Sequence, residues 1–164
     1  MRKGTAVAGR GTTVELPTDG QILITREFDA PKGLVYRAWT EPELVRRWWG
    51  GERGEVTVVE IDLRVGGAWR CVMVLDDGSE AAFRGEYREI FPNQRIVSTE
   101  VYEGMPEAEA LNTVTFEETG GRTTLRVLVE HASKEARDAH IASEMEVGMR
   151  EGMDLLERVA LSLG

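Results

Sequence analysis

The feature that most constrains the fold is an alternation of apolar and polar side chains that continues through residues 53–131. A period of two is typical of β-strands, and turn sequences rich in Gly, Asp and Asn divide the stretch into consecutive strand-like segments. Consecutive strands joined by short connections form an antiparallel meander. With the alternating segment at 21–29 included, the pattern therefore predicts an antiparallel sheet of about seven strands.

Helical patterns flank this region on both sides. Two short helical segments lie between 29 and 50, and one long segment is predicted to run from about 134 to 163. Asp29, Thr40 and Ser133 stand where N-caps are expected, Thr40 as the first residue of a capping box. Only the last helix is large enough to cover the apolar face of the sheet. We predict an α+β fold in which a curved antiparallel sheet has two short helices after its first strand and a long C-terminal helix over one face.

A chain of 164 residues suits a single domain. Residues 1–20 are rich in Gly and Thr and are predicted to form a flexible leader that includes a short edge strand, and 21–164 are predicted to form the domain. Neither a secretory apolar block nor a membrane-spanning apolar run is evident in the sequence, so we expect a cytoplasmic protein. The single cysteine, Cys71, excludes an internal disulfide and fits that compartment.

The net charge of −9 argues against nucleic acid and membranes as partners, because both are bound through basic patches. The acidity is concentrated in 100–118, where six glutamates occur without lysine or arginine. A solvated hairpin and a docking face for a cationic partner are both compatible with this pattern.

The segment MEVGMREGM places Met145, Met149 and Met153 on one helical stripe, because residues four apart lie one above the other on a helix. Gly148 and Gly152 follow at the same spacing on a neighbouring stripe. Methionine is the most adaptable apolar side chain, so the stripe indicates either ordinary packing or one wall of a cavity with variable contents.

Alternation also sorts the strand residues by face, with large apolar side chains on one face and arginines on the other. We expect the apolar face to line a cavity of a few hundred Å³ beneath the methionine stripe. The predicted lining residues are Trp69, Met73, Phe83, Tyr87, Phe116, Met145, Met149 and Met153.

Several motifs resemble one known family. They are R-E-F-D-A-P at 26–31, V-Y-R-A-W-T at 35–40, W-W-G at 48–50, D-L-R-V-G-G-A-W at 62–69 and F-R-G-E-Y-R-E-I at 83–90. The chain resembles, over about residues 20–163, the bacterial homologues of the activator of the heat-shock-protein-90 ATPase. That family belongs to the START-like superfamily, which has the helix-grip fold of the birch pollen allergen. The resemblance implies this fold and a hydrophobic ligand, and some members of the superfamily are cyclases or hydrolases.

The chain departs from the family pattern at four positions. Gly51 replaces a proline, Ser98 and Glu100 occur where relatives often have aromatic residues, and Met153 occurs where a tryptophan is common. These changes predict a larger or more polar interior than in relatives.

Glu100 and His131 are the polar groups most able to reach such a cavity, Glu100 with an uncertain strand phase and His131 at a strand end. We expect Glu100 to be a rim glutamate in water, His140 to be solvated, and Glu100 and His131 not to form a catalytic dyad. We expect Cys71 to be buried and unreactive. No spacing typical of a metal site or a nucleotide cofactor occurs, so neither metal nor cofactor is predicted.

Three functional hypotheses follow. The first is the binding of a small apolar or aromatic molecule, without a catalytic residue. The second is an enzyme, cyclase-like or hydrolase-like, acting on such a molecule by acid–base chemistry. The third is a co-chaperone, as the family name suggests. A homodimer is a further expectation, with the exposed member of the pair Trp48 and Trp49 as its contact.

Overall fold

A computed structural model of the protein describes residues 12–50, 54–143 and 145–164. The strands within these ranges are β1 (Thr12–Glu15), β2 (Gln21–Phe28), β3 (Gly54–Ile61), β4 (Ala68–Leu75), β5 (Glu80–Phe91), β6 (Arg95–Tyr102), β7 (Glu109–Thr119) and β8 (Arg122–Glu130). The helices are α1 (Lys32–Thr40), α2 (Pro42–Val45), α3 (Lys134–Ala142) and α4 (Met145–Ser162). All the strands belong to one antiparallel sheet with the order β1-β2-β8-β7-β6-β5-β4-β3.

The predicted α+β class and helix-grip arrangement are confirmed. The described sheet has eight strands, since the short edge strand expected in the leader, Thr12–Glu15, pairs with β2 and adds to the seven strands predicted from the alternation. Residues 1–11 of the predicted leader lie outside the described residues. None of the described helices is both long and apolar enough to cross a bilayer.

Strand register assigns the side chains to two faces, because directly paired residues of antiparallel strands point to the same side. Ile24 of β2 pairs with Val127 of β8, Val127 pairs with Val114 of β7, and Val114 pairs with Ile96 of β6. All four side chains are buried. This face, the inner face, forms the core together with buried side chains of α1 and α4.

The C-terminal helical region is divided in two, so the prediction of one helix from about 134 to 163 is wrong. Ser133 is the expected N-cap, and its Oγ accepts the backbone N–H of Ala136 at 3.0 Å. α3 ends at Ala142, however, and the Oγ of Ser143 donates to the carbonyl oxygen of His140 at 2.5 Å. A serine that bonds to the backbone of the preceding turn competes with helix continuation.

Unlike Ser133, the two other residues predicted as N-caps, Asp29 and Thr40, do not cap a helix. The N-cap of α1 is Pro31 and not Asp29, whose carboxylate accepts a hydrogen bond from Arg122 at 2.8 Å. The hydroxyl of Thr40 donates to the carbonyl oxygen of Tyr36 at 2.8 Å and therefore does not form a capping box. α2 ends at Val45, before the two tryptophans it was expected to carry.

A buried ion pair holds α4 to β2. Nη2 of Arg26 lies 3.0 Å from Oε1 of Glu157, and Nη1 lies 2.7 Å from Oδ1 of Asp154. The Arg26 and Glu157 side chains are 3% and 7% exposed, whereas Asp154 is 61% exposed. Glu157 also accepts the backbone N–H of Asp29 at 2.9 Å. Since a displaced helix would leave a buried charge unpaired, this pair fixes the position of α4 on the sheet.

We predict that Glu157→Ala lowers the free energy of unfolding by about 3–5 kcal/mol, because it leaves the buried guanidinium of Arg26 without its buried partner. The control Asp154→Ala removes the exposed partner of the same arginine and should cost less than about 1 kcal/mol. Urea unfolding followed by circular dichroism measures both values. Equal losses for the two variants would contradict the assignment of the anchor to Glu157.

A candidate ligand site on the inner face

Five residues form a transverse row across the inner face, here called the central row: Trp69, Gly85, Glu100, Ala110 and His131. They come from β4, β5, β6, β7 and the end of β8, which are neighbours in the sheet. Trp69 pairs directly with Gly85, and Glu100 pairs directly with Ala110.

The other two steps of the central row follow from neighbouring pairs. Arg84 pairs with Val101, which sets positions 85 and 100 opposite each other. Leu111 pairs with Glu130, so the residue after Glu130 lies beside position 110. Glycine and alanine therefore flank Glu100 on both sides, and their small side chains leave the carboxylate standing above its neighbours in the row.

Gly85 is required by a close approach of Trp69 to β6. The indole N–H of Trp69 donates to the carbonyl oxygen of Thr99 at 3.2 Å, across the intervening strand β5. A Cβ atom at position 85 would overlap both that carbonyl oxygen and the indole nitrogen. The aromatic end of the central row is therefore possible only with glycine at this position.

Glu100 points inward, so the prediction of a rim glutamate in water is wrong. Oε1 of Glu100 accepts a hydrogen bond from Nδ2 of Asn112 at 2.6 Å. Burial of the carboxyl group raises the pKa of Glu100 above its ordinary value of 4.5, while the bond from Asn112 and the interaction with His131 act in the opposite direction. Desolvation is the largest of these causes because it disfavours the charged form.

Two buried polar atoms have no hydrogen-bond partner among the described residues: Oη of Tyr36 and Oδ1 of Asn112. Tyr36 is 8% exposed and packs edge-on against Phe116, with ring centroids 5.3 Å apart. Burial raises its pKa and also that of Tyr87, to which the electrostatic effect of Tyr36 contributes. The interior beneath α1 is therefore polar as well as aromatic.

His131 contacts His140 and not Glu100. Nε2 of His131 and Nδ1 of His140 are 2.9 Å apart, and the rings meet edge to face with centroids 5.1 Å apart. Desolvation lowers the pKa of both histidines, and for His131 the neighbouring His140 adds to this effect while Glu100 opposes it. The expectation that His140 is solvated is wrong, because α3 places its ring against the end of β8.

The structure places most of the predicted cavity residues on the inner face or beneath α4. Met153 is 1% exposed, and Met149 is partly buried against the core. The side chain of Met145 lies outside the described part of the chain. The strand residues that share the inner face are Trp69, Met73, Phe83 and Tyr87, with Phe116 on β7.

Two open surface depressions, of about 460 and 450 Å³, lie elsewhere. The first is bordered by Arg70, Arg84 and Glu109 of the outer face and also by Trp69 and Gly85 of the central row. The second is bordered by Lys32 and Glu118. Neither coincides with the space predicted between α4 and the inner face, and that cavity stays a prediction.

The tryptophan pair is divided between the core and the edge of the interior. Trp48 is 8% exposed, donates its indole N–H to the carbonyl oxygen of Ala38 at 2.8 Å and stacks on Trp39. Trp49 is partly buried and lies against Phe83, with ring centroids 5.3 Å apart. Homodimer formation through Trp49 stays a proposal.

The described residues present neither a cluster of metal-binding side chains nor an activated thiol. No group of three or more His, Cys, Asp or Glu side chains there is arranged to hold a metal ion. Cys71 is buried as expected, and desolvation, with a smaller effect of Glu100, raises the pKa of its thiol to about 12. A thiol with such a pKa is protonated at neutral pH and therefore a poor nucleophile.

Sequence reasoning missed three members of this site, Tyr36, Ala110 and Asn112, and it placed Gly85 on the inward face without assigning it a role. One signal was present for two of them, since Ala110 and Asn112 keep the phase of the apolar pair Val114 and Phe116 on the same strand.

A curved antiparallel sheet packed around a C-terminal helix is the helix-grip fold. The family model described as activator of Hsp90 ATPase homolog 1-like protein matches residues 29–160, and the chain belongs to this family. A search of curated protein sequences found no significant match.

Solved structures show the same architecture. A protein from Rhodobacter sphaeroides has a TM-score of 0.86 and 25% identity, with 93% of this chain and 99% of that chain covered. One from Chromobacterium violaceum has a TM-score of 0.77 and 27% identity, with 87% and 98% covered. The protein Ms6760 from Mycobacterium smegmatis, at 24% identity and a TM-score of 0.81, covers 91% of this chain and 96% of its own, and shows the fold alone.

We predict that Gly85→Ala lowers the free energy of unfolding by about 1–3 kcal/mol, because the added methyl group overlaps the backbone of β6. The control Gly33→Ala lies in α1, where an added Cβ has no neighbour within 4 Å. It should be neutral or stabilise by up to about 1 kcal/mol, since alanine favours helix. Chemical unfolding of the two variants measures the difference, and a neutral Gly85→Ala would contradict the close approach.

A second prediction concerns pH. The pKa of Glu100 is raised in the folded protein, so its contribution to stability is present below the ordinary value of 4.5 and is lost as the pH rises through the folded value. Glu100→Gln should therefore match the wild type near pH 4 and be more stable at pH 7. The exposed control Glu109→Gln should show no such growing difference. Unfolding curves at several pH values test this, and a parallel pH dependence of Glu100→Gln and wild type would contradict it.

Proposed function

We propose that the protein binds a small, largely apolar or aromatic molecule between α4 and the inner face, with the polar end of the molecule at Glu100. The observation that carries this proposal is the half-buried pair of Glu100 and Asn112, in which the buried Oδ1 of Asn112 has no partner among the described residues. A buried unsatisfied polar atom costs about 1–3 kcal/mol. Polar groups kept at such a cost in an apolar setting are typical of a ligand site.

Aromatic side chains supply the apolar part of the proposed site. Trp49, Phe83 and Tyr102 form a chain of ring contacts with centroid separations of 5.3 and 5.2 Å. Tyr102 is 41% exposed, so this chain extends from the interior to solvent. It supports an entry side between the turn after α2 and the end of β6.

Acid–base catalysis on such a molecule is the second candidate. It is favoured by the raised pKa of Glu100, since a carboxyl group that holds its proton to a higher pH than usual is better suited to act as a general acid. A second group in reach of the same atom is also needed, and His131 lies across Ala110 with its Nε2 bonded to His140. Binding is therefore the stronger proposal. A co-chaperone role, as the family description suggests, would use the outer surface of the protein.

We predict that Met149→Trp weakens the binding of phenylnaphthylamine, an uncharged apolar fluorophore, by about tenfold or more. The larger side chain should fill space at the core-facing side of α4, where Met149 packs. The matched control is Val147→Trp on the same helix, at a position that is 52% exposed. Fluorescence titration gives the affinities, and circular dichroism confirms that both variants remain folded.

The result that supports the proposal is wild-type binding that is retained in Val147→Trp and lost in Met149→Trp. Absence of binding to the wild type, or equal binding by the three folded proteins, would contradict a site beneath α4.

A further inference from the structure

The interior groups around Glu100 are arranged to accept hydrogen bonds. Nδ2 of Asn112 already donates to Oε1 of Glu100, which leaves Oε2 of Glu100 and Oδ1 of Asn112 as acceptors. These two oxygens, one of a carboxylate and one of an amide, can only accept hydrogen bonds, and an ammonium group supplies three donors.

The surrounding strands provide Glu100 with no cation. Its neighbours in the sheet are Ala110 on β7 and, by register, Gly85 on β5, and the titratable group that acts on it from β8 is His131. The lowered pKa of His131 keeps that ring neutral at pH 7. Among the described residues, no lysine or arginine forms an ion pair with Glu100.

The remaining groups near this carboxylate are neutral or face outward. Cys71 on β4 and Tyr87 on β5 have raised pKa values and stay protonated. Arg46, at the end of α2, acts on Cys71 but is exposed and donates to the carbonyl oxygen of Val56 at 3.1 Å. From α4, Glu146 and Arg150 pair with each other at the surface, with an N–O distance of 2.6 Å.

We propose that the molecule bound at the central row is a protonated amine carried on an aromatic or apolar group, with its nitrogen between Glu100 and Asn112. This inference rests on the proposed ligand site and names the chemistry that the site selects. The ammonium group satisfies the free acceptors, and a cation is also attracted by the faces of aromatic rings such as Trp69 and Tyr87. An anionic ligand is disfavoured, because it would bring a second negative charge to Glu100 and approach a protein with a net charge of −9.

The amine changes the protonation of the site. Pairing with a cation favours the carboxylate form of Glu100, so binding releases a proton from any protein molecule in which Glu100 is protonated. The affinity for the amine therefore rises with pH until the amine itself loses its proton.

The experiment compares phenethylamine, phenylethanol and phenylpropionate, which share one ring and differ in the charge of the end group. Each competes with phenylnaphthylamine for the wild type, for Glu100→Gln and for Glu109→Gln. Glu109 is an exposed glutamate of β7, so its replacement removes the same charge without touching the interior. Titration calorimetry in two buffers of different ionisation enthalpy counts the protons released.

The expected result is wild-type binding in which the amine is at least about tenfold tighter than the alcohol, with the acid weakest. Glu100→Gln should reduce the difference between amine and alcohol to about twofold or less, and Glu109→Gln should keep it. Equal affinities for amine and alcohol, or a preference that survives in Glu100→Gln, would overturn the inference while leaving the ligand site intact. If the wild type does not bind phenylnaphthylamine either, the ligand site itself is refuted and the amine with it.

Discussion

The buried pairing of Arg26 with Glu157 determines how the inner face is covered. It fixes α4 over the side of the sheet formed by β1, β2 and β8, where α4 approaches β1 and packs against α1. The opposite side is covered differently, by α2 next to β3 and by Trp49 against Phe83. The central row runs from Trp69 on β4 to His131 at the end of β8, where α3 supplies His140.

The fold class was predictable because an alternation that continues over many residues fits strands and does not fit the period of a helix. The wrong predictions of one continuous C-terminal helix and of a capping box at Thr40 depend on competition between local hydrogen bonds. Ser143 and Thr40 both use their hydroxyls on the preceding turn of backbone, which interrupts the helix in one case and removes the capping box in the other. Sequence alone shows that such a hydroxyl can bond to several backbone groups, but the choice among them is made by packing.

The candidate site was predictable only in part, because it depends on strand register. In β6, Val97 and Val101 are buried although they point away from the inner face, so apolar character does not reveal the phase of Glu100. The pairing of Glu100 with Ala110 shows that Glu100 points to the inner face, and this pairing is known only from the tertiary structure. Trp69, Phe83 and Tyr87 could be assigned to the inner face because each is large and apolar and keeps the alternation of its strand. Gly85 and Ala110 contribute because they are small, and a pattern of apolar and polar residues does not show where a small residue is required.

The bond between His131 and His140 joins two rings that share one hydrogen between Nε2 of the first and Nδ1 of the second. Each neutral imidazole has one protonated nitrogen. If the shared hydrogen belongs to His131, its other nitrogen is an acceptor and the far nitrogen of His140 is a donor. If it belongs to His140, both characters are reversed. The two outer nitrogens are therefore always opposite in polarity, and a partner that sets the tautomer of one ring also sets the tautomer of the other.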